Sequence, residues 1–233
     1  QTSFAVSTNE STPILTGILW SLSDQVLKFV STDRHRLASR KSTIETDPEL
    51  LIKNIVISGR TLNELNKLLP EEDTNIDVFL ANNQVLFQYD SILYYSRIFD
   101  GMYPDTSKII PQTYKTELVV NTKILLDAID RANLISREEK TNIVKLSMLD
   151  QQQIEISSSQ SELGRMKEEI QVESSEGEPL QISFNSKYML DVLKVIDCEK
   201  IFIGFVGTMS PIIIKPADQD HILHLILPYR TAG

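Results

Sequence analysis

The chain has 233 residues but few of those on which most enzyme sites depend: one cysteine, three histidines and eight glycines. A single cysteine, Cys198, excludes an intrachain disulfide and is typical of a reducing compartment. His221 and His224 stand three apart in an apparent strand, so they face opposite sides and cannot bind one metal ion together. Glycine-rich phosphate loops and nucleophile-elbow patterns are missing too. The sequence therefore predicts no catalytic residues, no metal site and no cofactor.

Positive charge and long apolar runs are also scarce. The 23 lysines and arginines stand against 32 aspartates and glutamates, a net charge of −9. Taken alone, that charge argues against a protein that wraps itself in nucleic acid, because DNA binders usually carry a basic footprint. No stretch approaches the roughly 18 apolar residues that span a bilayer, so no membrane partner is predicted.

One basic cluster stands out against this acidic background. The segment "STDRHRLASRK" (Ser31–Lys41) contains three arginines, a histidine and a lysine. On charge alone, a solvated strand-to-turn segment is the favoured interpretation. Contact with an anion or a nucleic acid is the alternative. The adjoining Leu37 and Ala38 add the aliphatic surface that a peptide-docking groove needs.

The chain repeats itself with a period of roughly 125–130 residues, a length typical of duplicated domains. The helix pattern "GRTLNELNKLL", with Leu62, Leu65, Leu68 and Leu69 on one stripe, returns as "SKYMLDVLKVI", and an apolar strand precedes each. "PILTGILW" aligns with "NIVKLSML", and "DSILYYSRI" with "DHILHLILP". Many short strands and few helices predict an α+β fold in two tandem domains, residues 1–114 and 115–233.

The second copy opens with a piece that the first copy lacks. The strand "TELVV" leads into the helix "NTKILLDAIDRANLIS", whose predicted apolar stripe is Ile124, Leu125, Ala128, Ile129 and Ala132. The first copy starts only at the tail of this piece, where "SFAVS" parallels "NLIS". We therefore expect Gln1 to lie inside an interrupted helix and the chain to be a truncated fragment.

Several motifs in order carry a family resemblance: "TDRHRLA", "FDGMYPD" followed by "SKIIP", "LLDAIDRANLISREEKTNIVKL", "ISFNSKYMLDVL" and "LILPYR". Together they resemble the bacterial sliding clamp, the β subunit of DNA polymerase III, of the Gram-positive type. The resemblance runs from end to end and covers the second and third of the family's three domains.

The resemblance implies a fold and a function without catalysis. Each clamp domain has antiparallel sheets outside and two helices on its inner face, and here the first domain's leading helix is truncated. Two full-length protomers form a head-to-tail ring that slides on double-stranded DNA in the cytoplasm, at the nucleoid, as a processivity factor. The replicative DNA polymerase, the clamp loader and repair polymerases bind through linear peptides. The fragment should be a monomer or a non-native dimer.

The resemblance also implies a peptide pocket between the two domains, with an apolar floor and polar groups at its rim. The positions carried over are Leu15, Thr32, Arg34, His35, Arg36, Leu37, Tyr103, Pro104, Lys108, Ile109, Asn185, Tyr188, Pro211, Leu225, Leu227, Pro228, Tyr229 and Arg230. Two positions depart from the family pattern. Arg34 replaces a small residue and could narrow the pocket mouth or bind an acidic peptide residue, and Tyr229 replaces a smaller aliphatic side chain.

Basic residues on helices that face the hole are the candidate DNA contacts: Arg60, Lys67, Lys123, Arg131, Lys187 and Lys194. Such contacts would be made to phosphates and would be weak and blind to base sequence. Ordinary solvated helix faces are an equally good interpretation of any one of them. The rival function is a protein–protein scaffold of duplicated α+β domains with no DNA role. An enzyme with an unrecognised site fits less well, since histidine, cysteine and glycine are scarce.

Overall fold

The computed structural model describes residues 1–72, 74–138, 141–158 and 164–230. It divides into two compact units, Gln1–Asp105 and Thr106–Gly233. Both units combine antiparallel sheets with α helices, of which the described residues contain three. The α+β prediction is confirmed. Among the described residues, none of the helices combines the length and apolarity that crossing a membrane requires.

The larger sheet of the first unit has the order β3-β2-β1-β4. Asp24 and Gln25 both adopt positive φ, 51° and 62°, in the two-residue turn between β1 and β2. This is the backbone of a tight hairpin whose twist matches the flanking strands. The four strands are β1 (Gly17–Ser23), β2 (Val26–Thr32), β3 (Arg36–Thr43) and β4 (Ile52–Ser58).

The second sheet of this unit, ordered β5-β6-β7, packs with helix α1. Ser58 caps the helix, since its side chain accepts a hydrogen bond from the Thr61 N–H at 3.4 Å. Ile57, Leu65, Val85 and Phe87 form the buried centre, and Leu62 and Leu69 pack at its margin. Leu68 of the predicted stripe is 47% exposed, so that part of the prediction is wrong. The elements are α1 (Gly59–Leu68), β5 (Asp77–Leu80), β6 (Gln84–Tyr89), β7 (Ile92–Arg97) and the 3₁₀ helices Ser3–Ala5 and Pro13–Thr16.

The second unit has two sheets, ordered β12-β8-β14-β15-β16 and β11-β10-β9-β13, and two α helices. Helix α2 buries Leu125, Ala128, Ile129 and Ala132 as predicted, whereas Ile124 is 46% exposed. The elements are the 3₁₀ helix Ser107–Ile109, β8 (Thr116–Asn121), α2 (Thr122–Glu138), β9 (Ile143–Met148), β10 (Gln153–Ser158), β11 (Lys167–Gln171), β12 (Ser174–Gly177), β13 (Gln181–Asn185), α3 (Ser186–Val195), β14 (Lys200–Phe205), β15 (Ile212–Pro216) and β16 (Ile222–Ile226).

The two units repeat the same strand order. The order β3-β2-β1-β4 in the first corresponds to β11-β10-β9-β13 in the second, and α1 and α3 each follow the last strand. Gly17 pairs with Ser58, as Ile143 pairs with Asn185, so the two sheets share one register. The predicted alignment of "PILTGILW" with "NIVKLSML" is therefore shifted by a few residues. Where an interrupted α helix was expected, residues Ser3–Ala5 form a 3₁₀ helix.

The units divide at Asp105 and Thr106, upstream of the predicted boundary at 114/115. Tyr114, which the prediction assigned to the first domain, belongs to the second unit, because its ring packs there with its centroid 5.3 Å from that of Phe202. A Cβ on Gly204 would lie 2.6 Å from the Tyr114 ring, so glycine allows this close packing. Pro111 and the polar composition around it could not reveal that contact.

Candidate functional site

The basic cluster forms the turn between β2 and β3. Asp33 organises the turn, because its Oδ1 accepts hydrogen bonds from the N–H groups of His35 (2.9 Å) and Arg36 (3.0 Å). Arg34 takes a positive φ of 78°, a conformation uncommon outside glycine and asparagine. The side chains of Arg34 and His35 are exposed at the tip of the turn. Sequence reasoning missed Asp33, although an aspartate followed by a turn is a recognisable signal.

Arg36 is not a solvated charge as the favoured interpretation of the cluster had it. Its Nε lies 3.0 Å from Asp33 Oδ2, and only 11% of its side chain is exposed. The Nη2 atom of Arg36 donates a hydrogen bond to the Phe4 carbonyl at 2.6 Å. The guanidinium carbon lies 5.4 Å from the centroid of the Phe4 ring. Arg36 therefore stabilises the first unit, and the exposed members of the cluster at the turn are Arg34 and His35.

Tyr103 holds the base of the same turn. Its hydroxyl oxygen accepts a hydrogen bond from the Thr32 N–H at 3.0 Å. Burial raises the pKa of Tyr103 to about 12, so the hydroxyl stays protonated at neutral pH. The Thr32 hydroxyl in turn donates to the Arg36 carbonyl at 2.6 Å. Pro104, which follows Tyr103, is exposed.

In the second unit, Asn185 and Tyr188 lie at the start of α3, and residues 225–230 lie at and just after the end of β16. Asn185 caps α3, because its side-chain oxygen accepts from the Lys187 N–H at 2.9 Å. The Tyr229 N–H donates to the Ser183 carbonyl at 2.7 Å, which places the segment 227–230 beside β13. Tyr188, Pro211 and Pro228 are half-buried, and Lys108 and Arg230 are exposed.

Exposure separates the predicted apolar residues into two groups. Leu15, Leu37 and Leu225 are at most 2% exposed and belong to the cores of their units. Leu227, Tyr229 and Ile109 are 39%, 53% and 46% exposed. Of these six residues, only those of the second group offer apolar surface to a ligand without a rearrangement of the core.

A cavity of about 570 Å³ lies elsewhere in the second unit, and none of the predicted residues lines it. Its walls are the turn between β9 and β10, the strand β12 and Pro179. The lining residues are Met148, Leu149, Asp150, Gln151, Ser175, Glu176, Gly177 and Pro179. This cavity is a rival location for a ligand. Among the described residues, no group of histidine, cysteine, aspartate or glutamate side chains could hold a metal ion.

The six candidate DNA contacts are all exposed on the three helices. Two of them make ion pairs. Arg60 Nε lies 3.1 Å from Glu64 Oε1, and Arg131 donates two hydrogen bonds to Glu168, at 2.8 and 2.6 Å. The hydrogen bond between Arg131 and Glu168 raises the pKa of the guanidinium and lowers that of the carboxyl. Because Glu168 compensates its charge, Arg131 is a weaker candidate for a phosphate than Lys67, Lys123, Lys187 or Lys194.

The fold and these residues define a chain of two tandem α+β domains of one kind. The family model described as "DNA polymerase III beta subunit, central domain" matches residues 1–105, and the model of the C-terminal domain matches residues 107–230. The chain therefore belongs to the DNA polymerase III beta subunit family, which confirms both the predicted family and the predicted pair of domains.

Individual relatives agree with this assignment. The beta sliding clamps of Staphylococcus epidermidis and Bacillus subtilis are each 47% identical to the chain over 231 residues, or 99% of it. The crystal structure of the B. subtilis sliding clamp superposes with a TM-score of 0.96 at 46% identity, covering all of this chain and 61% of that one. A Pseudomonas aeruginosa clamp bound to griselimycin superposes at 0.92 with 26% identity, over 99% of this chain and 61% of that one. The chain spans about 60% of the length of the curated relatives it matches.

Proposed function

We propose that this chain is the peptide-binding part of a DNA sliding clamp. The complete protein would encircle duplex DNA in the cytoplasm and hold the replicative DNA polymerase there, without catalysing a reaction. Membership of the beta subunit family supports the proposal. The chain itself contributes the surface to which the polymerase, the clamp loader and repair polymerases attach by short linear peptides.

The observation that carries the proposal is the exposure of Leu227 and Tyr229, at 39% and 53%. Both lie on the segment that a hydrogen bond from Tyr229 holds beside β13, next to the start of α3. Neighbouring exposed apolar side chains that form one patch mark an interaction site, whereas scattered ones do not, and apolar anchors dominate the binding energy of such sites. The peptide would supply the leucine and phenylalanine side chains that cover them.

The predicted set also includes two exposed basic residues, Arg34 of the first unit and Lys108 of the second, whose side chains reach solvent. Exposed cations contribute mainly to the rate of encounter and to partner choice, and salt weakens their attraction to acidic residues. We therefore propose that acidic residues flanking the apolar anchors accelerate peptide binding, while Leu227 and Tyr229 determine how slowly the peptide dissociates.

The proposal is tested by titrating a fluorescein-labelled Gln-Leu-Ser-Leu-Phe peptide against the chain and its Leu227→Asp variant, with fluorescence anisotropy as the readout. A carboxylate in an apolar contact loses its hydration without gaining a partner, so we expect binding to weaken by at least about tenfold. Leu227 is 39% exposed in the free chain, so the variant should fold.

Leu93→Asp is the matched control, because Leu93 is an exposed leucine (54%) on β7, outside the predicted set. It should bind the peptide as the parent does. Equal binding by the parent and Leu227→Asp would contradict the proposal. Leu37→Asp is not a usable test, since Leu37 is 1% exposed and a buried charge there would unfold the first unit.

The DNA contacts are proposed at Lys67, Lys123, Lys187 and Lys194, with Arg60 and Arg131 as weaker members because of their ion pairs. These residues would bind phosphates and release counterions, so the affinity of the complete ring for duplex DNA should fall steeply with salt and ignore base sequence. A scaffold with no DNA role would instead show no salt-dependent DNA binding, and that result would contradict this part of the proposal.

A further inference from the structure

Strand β4 contains a bulge at Asn54, in the first unit. Trp20 of β1 pairs with Ile55, but the next pair along is Leu22 with Ile52, so β4 has one residue too many in this stretch. Asn54 has a φ of 53°, in the left-handed region that asparagine tolerates better than most residues. Bulges of this kind redirect a side chain and are common beside functional sites.

The redirected side chain holds the loop that carries Tyr103. The Phe99 N–H donates to the Val56 carbonyl of β4 at 2.8 Å, which is a main-chain contact. Beyond Phe99 the loop is held by the side chain of Asn54. Its Nδ2 donates to the Gly101 carbonyl at 2.9 Å, and its Oδ1 accepts from the Tyr103 N–H at 3.1 Å. One amide thus uses both its donor and its acceptor on a single loop.

The same loop supports the β2–β3 turn through Tyr103. The Tyr103 hydroxyl accepts from the Thr32 N–H at 3.0 Å, inside the first unit. The Thr32 hydroxyl donates to the Arg36 carbonyl at 2.6 Å and accepts from the Arg34 N–H at 3.1 Å. A continuous series of hydrogen bonds therefore connects Asn54, through the loop, to the backbone of the basic turn.

We propose that Asn54 is a positioning residue for peptide binding: its side chain fixes the loop 99–105, and through Tyr103 it fixes the turn that presents Arg34 and His35. The inference rests on the proposed function, because it names a residue that acts on that same site. Asn54 is half-buried and lies on β4, outside the predicted contact set. Its effect would reach the peptide through the loop 99–105 and the turn that this loop supports.

The chemistry of the bulge distinguishes between replacements. Glycine keeps the left-handed backbone and loses both hydrogen bonds, so Asn54→Gly removes the positioning without strain. Asn54→Asp keeps an acceptor for the Tyr103 N–H but loses the donor to Gly101 and sets a carboxylate oxygen against that carbonyl. Asp24→Gly is the matched control, since Asp24 has a φ of 51° and lies in the exposed turn between β1 and β2 of the same unit.

The experiment measures the dissociation constant of the fluorescein-labelled Gln-Leu-Ser-Leu-Phe peptide for the parent, Asn54→Gly, Asn54→Asp and Asp24→Gly. Hydrogen exchange of the Thr32 amide, followed by NMR, reports the position of Tyr103 without any peptide. We expect Asn54→Gly and Asn54→Asp each to weaken binding by up to about tenfold, because the peptide must then order a loop and a turn that hydrogen bonds already hold in the parent. Thr32 exchange should accelerate in both variants, while that of Val120 in the second unit stays unchanged.

The possible outcomes separate this inference from the proposed function. If the parent itself does not bind the peptide, the proposed function fails. If the parent binds and Asn54→Gly binds equally, or if Asp24→Gly weakens binding as much, the positioning role of Asn54 is refuted. Should Asn54→Gly not fold, Asn54→Asp decides, because unchanged affinity and unchanged Thr32 exchange in that variant would refute the inference equally.

Discussion

At the scale of single residues, His224 shows how burial couples this fold to pH. It is fully buried in β16, and burial lowers the pKa of its imidazole to about 3 from an ordinary 6.5. At pH values between the folded and the unfolded pKa, the imidazole is therefore protonated in the unfolded chain and neutral in the folded chain. The resulting stability is complete above pH 6.5 and is lost progressively as the pH falls toward 3.

We predict that the second unit loses stability between pH 7 and pH 5, at no more than about 1.4 kcal/mol per pH unit from this one group. His224→Phe removes the titration and should flatten that part of the profile. Urea unfolding, followed by circular dichroism at several pH values, is the measurement. An equal slope in parent and variant would show that His224 does not titrate on unfolding.

Exposure of individual side chains is the part of the site that the sequence could not predict. Leu37 and Leu227 are both leucines in family-like motifs, yet one is 1% and the other 39% exposed. Burial depends on neighbours that are distant in sequence, whereas a motif carries only its own residues. The sequence could not predict the role of Asn54 for the same reason, because its hydrogen-bond partners Gly101 and Tyr103 are 47 and 49 residues away.

At the scale of elements, the two repeats allow β5 to be compared with β14. Ile201 and Ile203 of β14 are fully buried, and this strand lies between β8 and β15. Val78, Phe79 and Leu80 of β5 are 40%, 53% and 39% exposed, and β5 stands at the end of its sheet in the part of the chain that the structure describes. An apolar strand edge of this kind is a template for pairing with another chain.

We therefore predict that the chain is a monomer when dilute and self-associates through β5 as its concentration rises. Phe79→Lys should reduce the association, since a charge on an edge strand opposes pairing. Leu51→Lys is the control, because Leu51 is also 53% exposed but precedes β4 in a loop. Sedimentation velocity over a concentration series gives the mass. Equal association of parent and Phe79→Lys would contradict the edge model, and a stable ring-sized dimer at the lowest concentration would contradict the monomer.

The presence of two repeated α+β units was the more predictable property of the elements. The repeated helix and strand patterns predicted these units, whereas the strand order that they share, β3-β2-β1-β4 and β11-β10-β9-β13, is known only from the structure. Hydrophobic periodicity depends on residues that are close in sequence, so it predicts helices and strands without knowledge of the fold. The boundary between the units was less predictable because Tyr114 packs against Gly204 and Phe202, and a polar segment containing a proline does not reveal such a contact.

At the scale of the whole molecule, the net charge of −9 does not argue against a DNA-related role. Summed charge sets the long-range field, whereas contacts with phosphates depend on where the cations lie. The exposed lysines of α1, α2 and α3 could provide such contacts within an acidic protein. A weak, sequence-blind attraction is also what sliding along DNA requires.

We propose that partner peptides bind the predicted residue set and not the 570 Å³ cavity. NMR of the ¹⁵N-labelled chain during titration with unlabelled Gln-Leu-Ser-Leu-Phe peptide distinguishes the two locations. We predict saturable shift changes at the amides of 32–37, Tyr103, 185–188 and 225–230, with none at the cavity residues 148–151 and 175–177. Shift changes concentrated at the cavity residues, or none at 225–230, would contradict the account.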